Sequence, residues 1–148
     1  MLYDPQNKTV QRCAQGMTLE VQGQVGGAAA IFRQAWDEAT TDLEKFIAAH
    51  YVARHQPGVP DKLHWDKTAL DHAQQVPDAN VKGAYPSLYL NIAKDYEDLH
   101  EFTHAREHYE TALSYVQFLS DDGYGKMIRS GITAGIERVK IDEQPRKA

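Results

Sequence analysis

Apolar residues recur along this chain at helical rather than strand spacing. The clearest stretch runs from Pro86 to Val116. Tyr89 is followed by Ile92, Ala93 and Tyr96; after a polar break at Leu99-His100-Glu101-Phe102 come Ala105, Tyr109 and Ala112. Two runs with a period of ~3.6, joined by a short break, predict an antiparallel helix pair. Ala93 and Ala105 fall where the helices cross, so the backbones can approach while Tyr89, Tyr96 and Tyr109 fill the space beside them. Further elements follow from similar signals. Asp4-Pro5 is a helix start, with Asp as cap and Pro at the first helical position, and this helix runs to about Gln22. After Gly23, the residues Ala28, Ile31, Phe32, Ala35, Trp36 and Ala39 give a second helix one apolar face. Thr41 and Glu44 are spaced as a capping box ahead of a third helix carrying Leu43, Phe46, Ile47, Tyr51 and Val52. Gln56–Pro60 is a loop, and a fourth helix from near Asp61 carries Leu63, Trp65, Ala69, Leu70, Ala73 and Val76. Residues Val81–Tyr85 fit either an extra helical turn or a loop, because Pro86 disfavours helix at Tyr85. A last helix follows Asp121-Asp122-Gly123, with Met127, Ile128, Ile132, Ile136 and Val139 on one stripe and Gly131 and Gly135 suited to close packing. No strand-like alternation occurs, so the predicted class is all-α.

The spacing around Tyr89–Ala112 resembles the tetratricopeptide repeat, a helix–turn–helix unit of ~34 residues. Tyr89, Ile92, Ala93 and Tyr96 stand where that family has Trp, Leu, Gly and Tyr; Ala105, Tyr109 and Ala112 stand where it has Ala, Phe and Ala. Gln117 occupies the place of the closing proline. Gly16, Leu19, Ala28, Phe32 and Ala35 repeat the steps upstream, although Arg12 and Gln15 replace the usual start. Ile47, Ala48, Tyr51 and Ala69 form a third copy. In it Lys62 and Asp66 stand at the small and aromatic positions, and Trp65, one residue early, is expected to supply the bulk. The resemblance covers roughly residues 10–120. It implies a single domain over 1–148: a right-handed stack of about three helix hairpins (residues 5–40, 41–76 and 79–119), a capping helix over 122–140 and a polar tail from 141. Stacking would bury the apolar faces that no hairpin could bury alone.

Composition narrows the function. The 148 residues carry a formal charge of −5, which opposes a general nucleic-acid-binding role. No apolar run approaches the ~20 residues of a membrane span. The start Met1-Leu2-Tyr3-Asp4-Pro5 has no secretory-signal pattern, and the single Cys13 suits a reducing compartment, so a cytoplasmic location is expected. No Gly-rich turn between strand and helix is present to cradle a nucleotide, so no cofactor is expected and no catalytic residues are assigned. His104 and His108, four apart, have the spacing of a metal pair, but a solvated helix face accounts for them better and no metal site is assigned.

In the tetratricopeptide family the first helix of each repeat lines a concave surface where ligand peptides lie. That resemblance places Ser87, Leu90, Asn91, Lys94 and Asp98 on the face, with Asn91 where peptide-binding members often have an asparagine bonding the ligand backbone. An amide suits this task, since it both donates and accepts. From the preceding repeat come Lys45, Ala49, His50 and Arg54, whose cations, with Lys94, favour a partner with acidic groups. The expectation is a protein- or peptide-binding module without nucleic-acid or membrane partners. A homodimer using its groove or last helix for self-association is the alternative, and an enzyme with groups converging from distant sequence is the third reading.

Overall fold

A computed structural model describes residues 2–143. It is all-helical: among the described residues there are seven α-helices and no strand. The chain divides into two compact units, residues 1–79 and 80–148.

The first unit holds α1 (Lys8–Val21), α2 (Val25–Glu38), α3 (Asp42–Ala53) and α4 (Val59–Ala73). Helix α1 starts three residues after Pro5, because Asn7 rather than Asp4 is the cap. The Asn7 side-chain oxygen accepts from the N–H groups of Thr9 and Val10 at 2.8 and 3.1 Å, while Asp4 holds the turn before it. Gly23, at φ +76°, takes the left-handed conformation that ends the α1–α2 turn. The capping box of α3 is formed: Glu44 N donates to Thr41 Oγ1 and Thr41 N to Glu44 Oε1, both at 3.1 Å. Burial works against the Glu44 charge, but donors from Thr40, Asn7 and Thr41 outweigh it and bring its carboxyl down to about 2. Phe32 seats on Gly16, where a Cβ would come within 2.2 Å of the ring, and stacks on Tyr51 at 5.1 Å. Helix α3 packs against α1, α2 and α4, and is buried at Phe46, Ile47, Ala48, Ala49, Val52 and Ala53.

In α4 the sequence expectation is corrected. Trp65 does not replace the missing aromatic. It is half-buried against the edge of Trp36 at 5.0 Å. Asp66 itself occupies the interior position, 2% exposed, with Lys62 Nζ 2.6 Å from its carboxylate. A Lys–Asp pair one turn apart neutralises the buried charge, so no register shift is needed.

A 3-10 turn over Ala79–Ala84 runs into α5 (Tyr85–Asp98) of the second unit; Pro86 lies in the first turn of α5, where its missing N–H costs no hydrogen bond. Then come α6 (Phe102–Ser114), a short 3-10 turn at Val116–Phe118, and α7 (Gly123–Glu143), which ends three residues later than expected; what lies beyond Glu143 falls outside the described residues. Helix α7 packs against both α5 and α6. Its Gly135 meets the Tyr109 ring so closely that a Cβ would lie 2.3 Å away, and a Cβ on Gly131 would lie 3.3 Å from Leu90. Ile92, Ala93, Ala105, Tyr109, Ala112, Ile132 and Val139 form the interior. No described helix is long and apolar enough to cross a membrane.

Candidate binding surface

Helix α5 presents Ser87, Asn91, Lys94 and Asp98 at steps of four, three and four residues, which places them on one face. Lys94 and Asp98 are exposed and paired with each other; Ser87 and Asn91 are half-buried. The Asn91 amide makes no hydrogen bond among the described residues. Leu90 turns instead toward α7. It lies against the cluster of Ala112, Leu119, Ile128 and Ile132 and forms an apolar edge to the polar face.

A long-range ion pair ties α7 to α5. Arg138 on α7 reaches α5, with Nε 2.8 Å from Glu97 Oε2 and Nη2 3.1 Å from Glu97 Oε1. The Tyr109 hydroxyl donates to Glu97 Oε1 at 2.7 Å and accepts from Arg138 Nη2 at 3.3 Å. Burial opposes charge on Glu97, but the bonds from Arg138 and Tyr109 prevail and hold its carboxyl below the usual range. Burial and the Glu97 carboxylate push the Tyr109 hydroxyl up, so it remains a donor. The Arg138 side chain is 46% exposed against 12% for Glu97. The one signal in the sequence is that a buried tyrosine hydroxyl needs a hydrogen-bond partner. No local spacing pairs Glu97 with an arginine 41 positions later.

His50 and Arg54 belong to the first unit and carry less positive charge to a ligand than the sequence suggested. His50 Nδ1 is buried without a hydrogen-bond partner, and its ring stands edge-on to Tyr51 at 5.1 Å. Desolvation, helped by Arg54 and Lys62 against the pull of Asp66, lowers its pKa to about 4, so His50 is neutral at pH 7. Arg54 lies over the Tyr51 ring and pairs with Glu20 at 3.0 Å; the other oxygen of that carboxylate meets His55 Nε2 at 2.9 Å. Lys45 is bound to the Trp36 carbonyl at 2.9 Å and sits over its ring, and Ala49 is fully buried.

Compared with protein-family models, curated proteins and solved structures, the chain shows no match. His104 and His108 pack on Tyr96, each at 5.1 Å, and His108 Nδ1 lies 2.7 Å from the His104 carbonyl. Among the described residues no group of three His, Cys, Asp or Glu is placed to hold a metal ion. Cys13 is 2% exposed and burial pushes its thiol up to about 12, which leaves it protonated and unreactive.

Proposed function

We propose that this chain is a short tetratricopeptide-like scaffold that binds an extended segment of another protein along the α5–α7 surface. The observation that carries the reading is the Asn91 amide. It is half-buried and without an internal partner, and it lies on an α5 face that borders the apolar contact of Leu90 with α7. An amide in that setting gains most by bonding a peptide backbone, where donor and acceptor are both used. The repeat assignment is supported by the complete burial of Ala28, Phe32 and Ala35 in α2 and of Ala105, Tyr109 and Ala112 in α6, which hold equivalent places in the spacing. The test is selection of binding peptides from a random display library on the full chain, followed by affinity measurement for wild type and Asn91→Ala. A loss of about 1–3 kcal/mol is expected, since truncation leaves ligand polar groups unpaired. If the variant binds as tightly as wild type, the ligand does not use this face.

Self-association through α7 is favoured by a separate observation. Tyr124, Met127 and Ile141 are 50, 62 and 70% exposed on that helix. Light scattering across a concentration series decides this reading: a concentration-independent monomer removes it.

A further inference from the structure

We infer that Arg138 is a second ligand-contacting residue of this surface, and that it takes a neutral backbone carbonyl of the bound peptide rather than a carboxylate. The inference rests on the groove reading above and names the chemistry of its ligand.

The guanidinium is held by one edge. Nε and Nη2 are engaged by the two Glu97 oxygens, and Nη2 also by the Tyr109 hydroxyl, whose ring is fully buried. Among the described residues Nη1 has no acceptor, and the side chain is nearly half exposed. A planar fork fixed in this way presents its remaining N–H groups in one direction, so a ligand atom meets a donor whose rotamer is already set. Glu97 and Tyr109 are the positioning residues.

Charge decides the kind of acceptor. Glu97 already balances Arg138, and Asp98 balances Lys94. A carboxylate arriving here would meet two cations already paired and two nearby anions of its own sign, in a chain of net charge −5. A peptide carbonyl accepts from Nη1 without that repulsion. Glu97 lies six positions beyond Asn91, about 9 Å along α5 and about 120° around it, so Arg138, reaching Glu97 from α7, offers a contact separate from that of Asn91. Both would bond backbone groups and read little of a ligand's sequence.

The probes are peptides selected on the full chain from a random eight-residue display library, then synthesised with blocked ends. Affinities are measured for wild type, Arg138→Ala, Arg138→Lys and Tyr109→Phe, each first shown to retain wild-type helicity. Single amide-to-ester replacements, which weaken one carbonyl acceptor, are then scanned along the best peptide. The ester scan leaves the protein untouched, so it stands even if Arg138→Ala misfolds. Expected results are about a tenfold loss for Arg138→Ala, the size of one well-made hydrogen bond to a charged donor. Arg138→Lys should recover little of it, and one ester position should lose affinity in wild type but not in Arg138→Ala. Affinity should be nearly flat in salt. Peptides that depend on Asn91 but are indifferent to Arg138 overturn this inference and leave the groove reading standing. Enrichment of Asp, Glu or a required free C-terminal carboxylate, with affinity falling steeply in salt, overturns the neutral-acceptor assignment. Failure to select any peptide overturns both.

Discussion

Gly135→Ala separates the tertiary structure from local propensity, because the two predict opposite signs. By propensity alone, alanine in a helix interior gains about 1 kcal/mol over glycine. In the fold, the new Cβ would stand 2.3 Å from both Cε1 and Cζ of the Tyr109 ring. That ring cannot swing away freely, since it is fully buried and its hydroxyl is bound to Glu97 and Arg138. Overpacking of this kind costs about 1–3 kcal/mol, and displacing the hydroxyl from a carboxylate adds about 1.5–3 kcal/mol. Set against the propensity gain, the net loss is about 1.5–5 kcal/mol. The assay is urea unfolding followed by far-ultraviolet dichroism, with hydrogen exchange of the α5, α6 and α7 amides. Tryptophan fluorescence does not serve, because Trp36 and Trp65 both lie in the first unit. Gly131→Ala is the control: its Cβ would lie 3.3 Å from the methyl end of Leu90, which can yield, so that variant should unfold within about 1 kcal/mol of wild type. If Gly135→Ala is as stable as wild type or more so, Tyr109 does not seat on α7 and the packing of the second unit is wrong.

Tyr109→Ala removes the same ring outright and should cost about 3–5 kcal/mol in the same urea series. Lys62→Ala should destabilise by about 1–3 kcal/mol by stripping Asp66 of its ammonium, whereas Lys62→Ala combined with Asp66→Phe should restore most of the loss, a double-mutant cycle being the measurement. His50 titrates lower in the fold than in the unfolded chain, so the unfolded chain binds more protons between those values. Stability is unaffected above the unfolded value near 6.5 and falls as pH drops toward 4, by about 1–3 kcal/mol, and His50→Gln should flatten that part of the pH profile. Deleting everything after Ser120 uncovers the surface that Ile128, Ile132 and Val139 bury, and light scattering should show aggregation or the melt should move down.

What the sequence by itself determined is what depends on near neighbours. Helical period, the Thr41–Glu44 box, the break at Gly23 and the small-aromatic-small steps of α2 and α6 are all properties of residues within about four positions of one another. They were legible because a helix makes its own hydrogen bonds and declares one apolar side. Nearby competition already limits this: Asp4 and Asn7 are both good caps, and the contact of Asn7 with Glu44, 37 positions away, lies on the side that won. Only the tertiary structure decided which charges are free. In sequence His50, Arg54 and Lys94 are three cations. In the fold His50 is neutralised by burial and Arg54 is shared with Glu20, 34 positions away, whereas the pairing of Lys94 with Asp98 is local, one helical turn apart. It also decided that Asp66 is interior and that Arg138 pairs with Glu97, 41 positions away. Desolvation and ion pairing between helices depend on what lies across a helix contact, and residue types at local spacing do not carry that information.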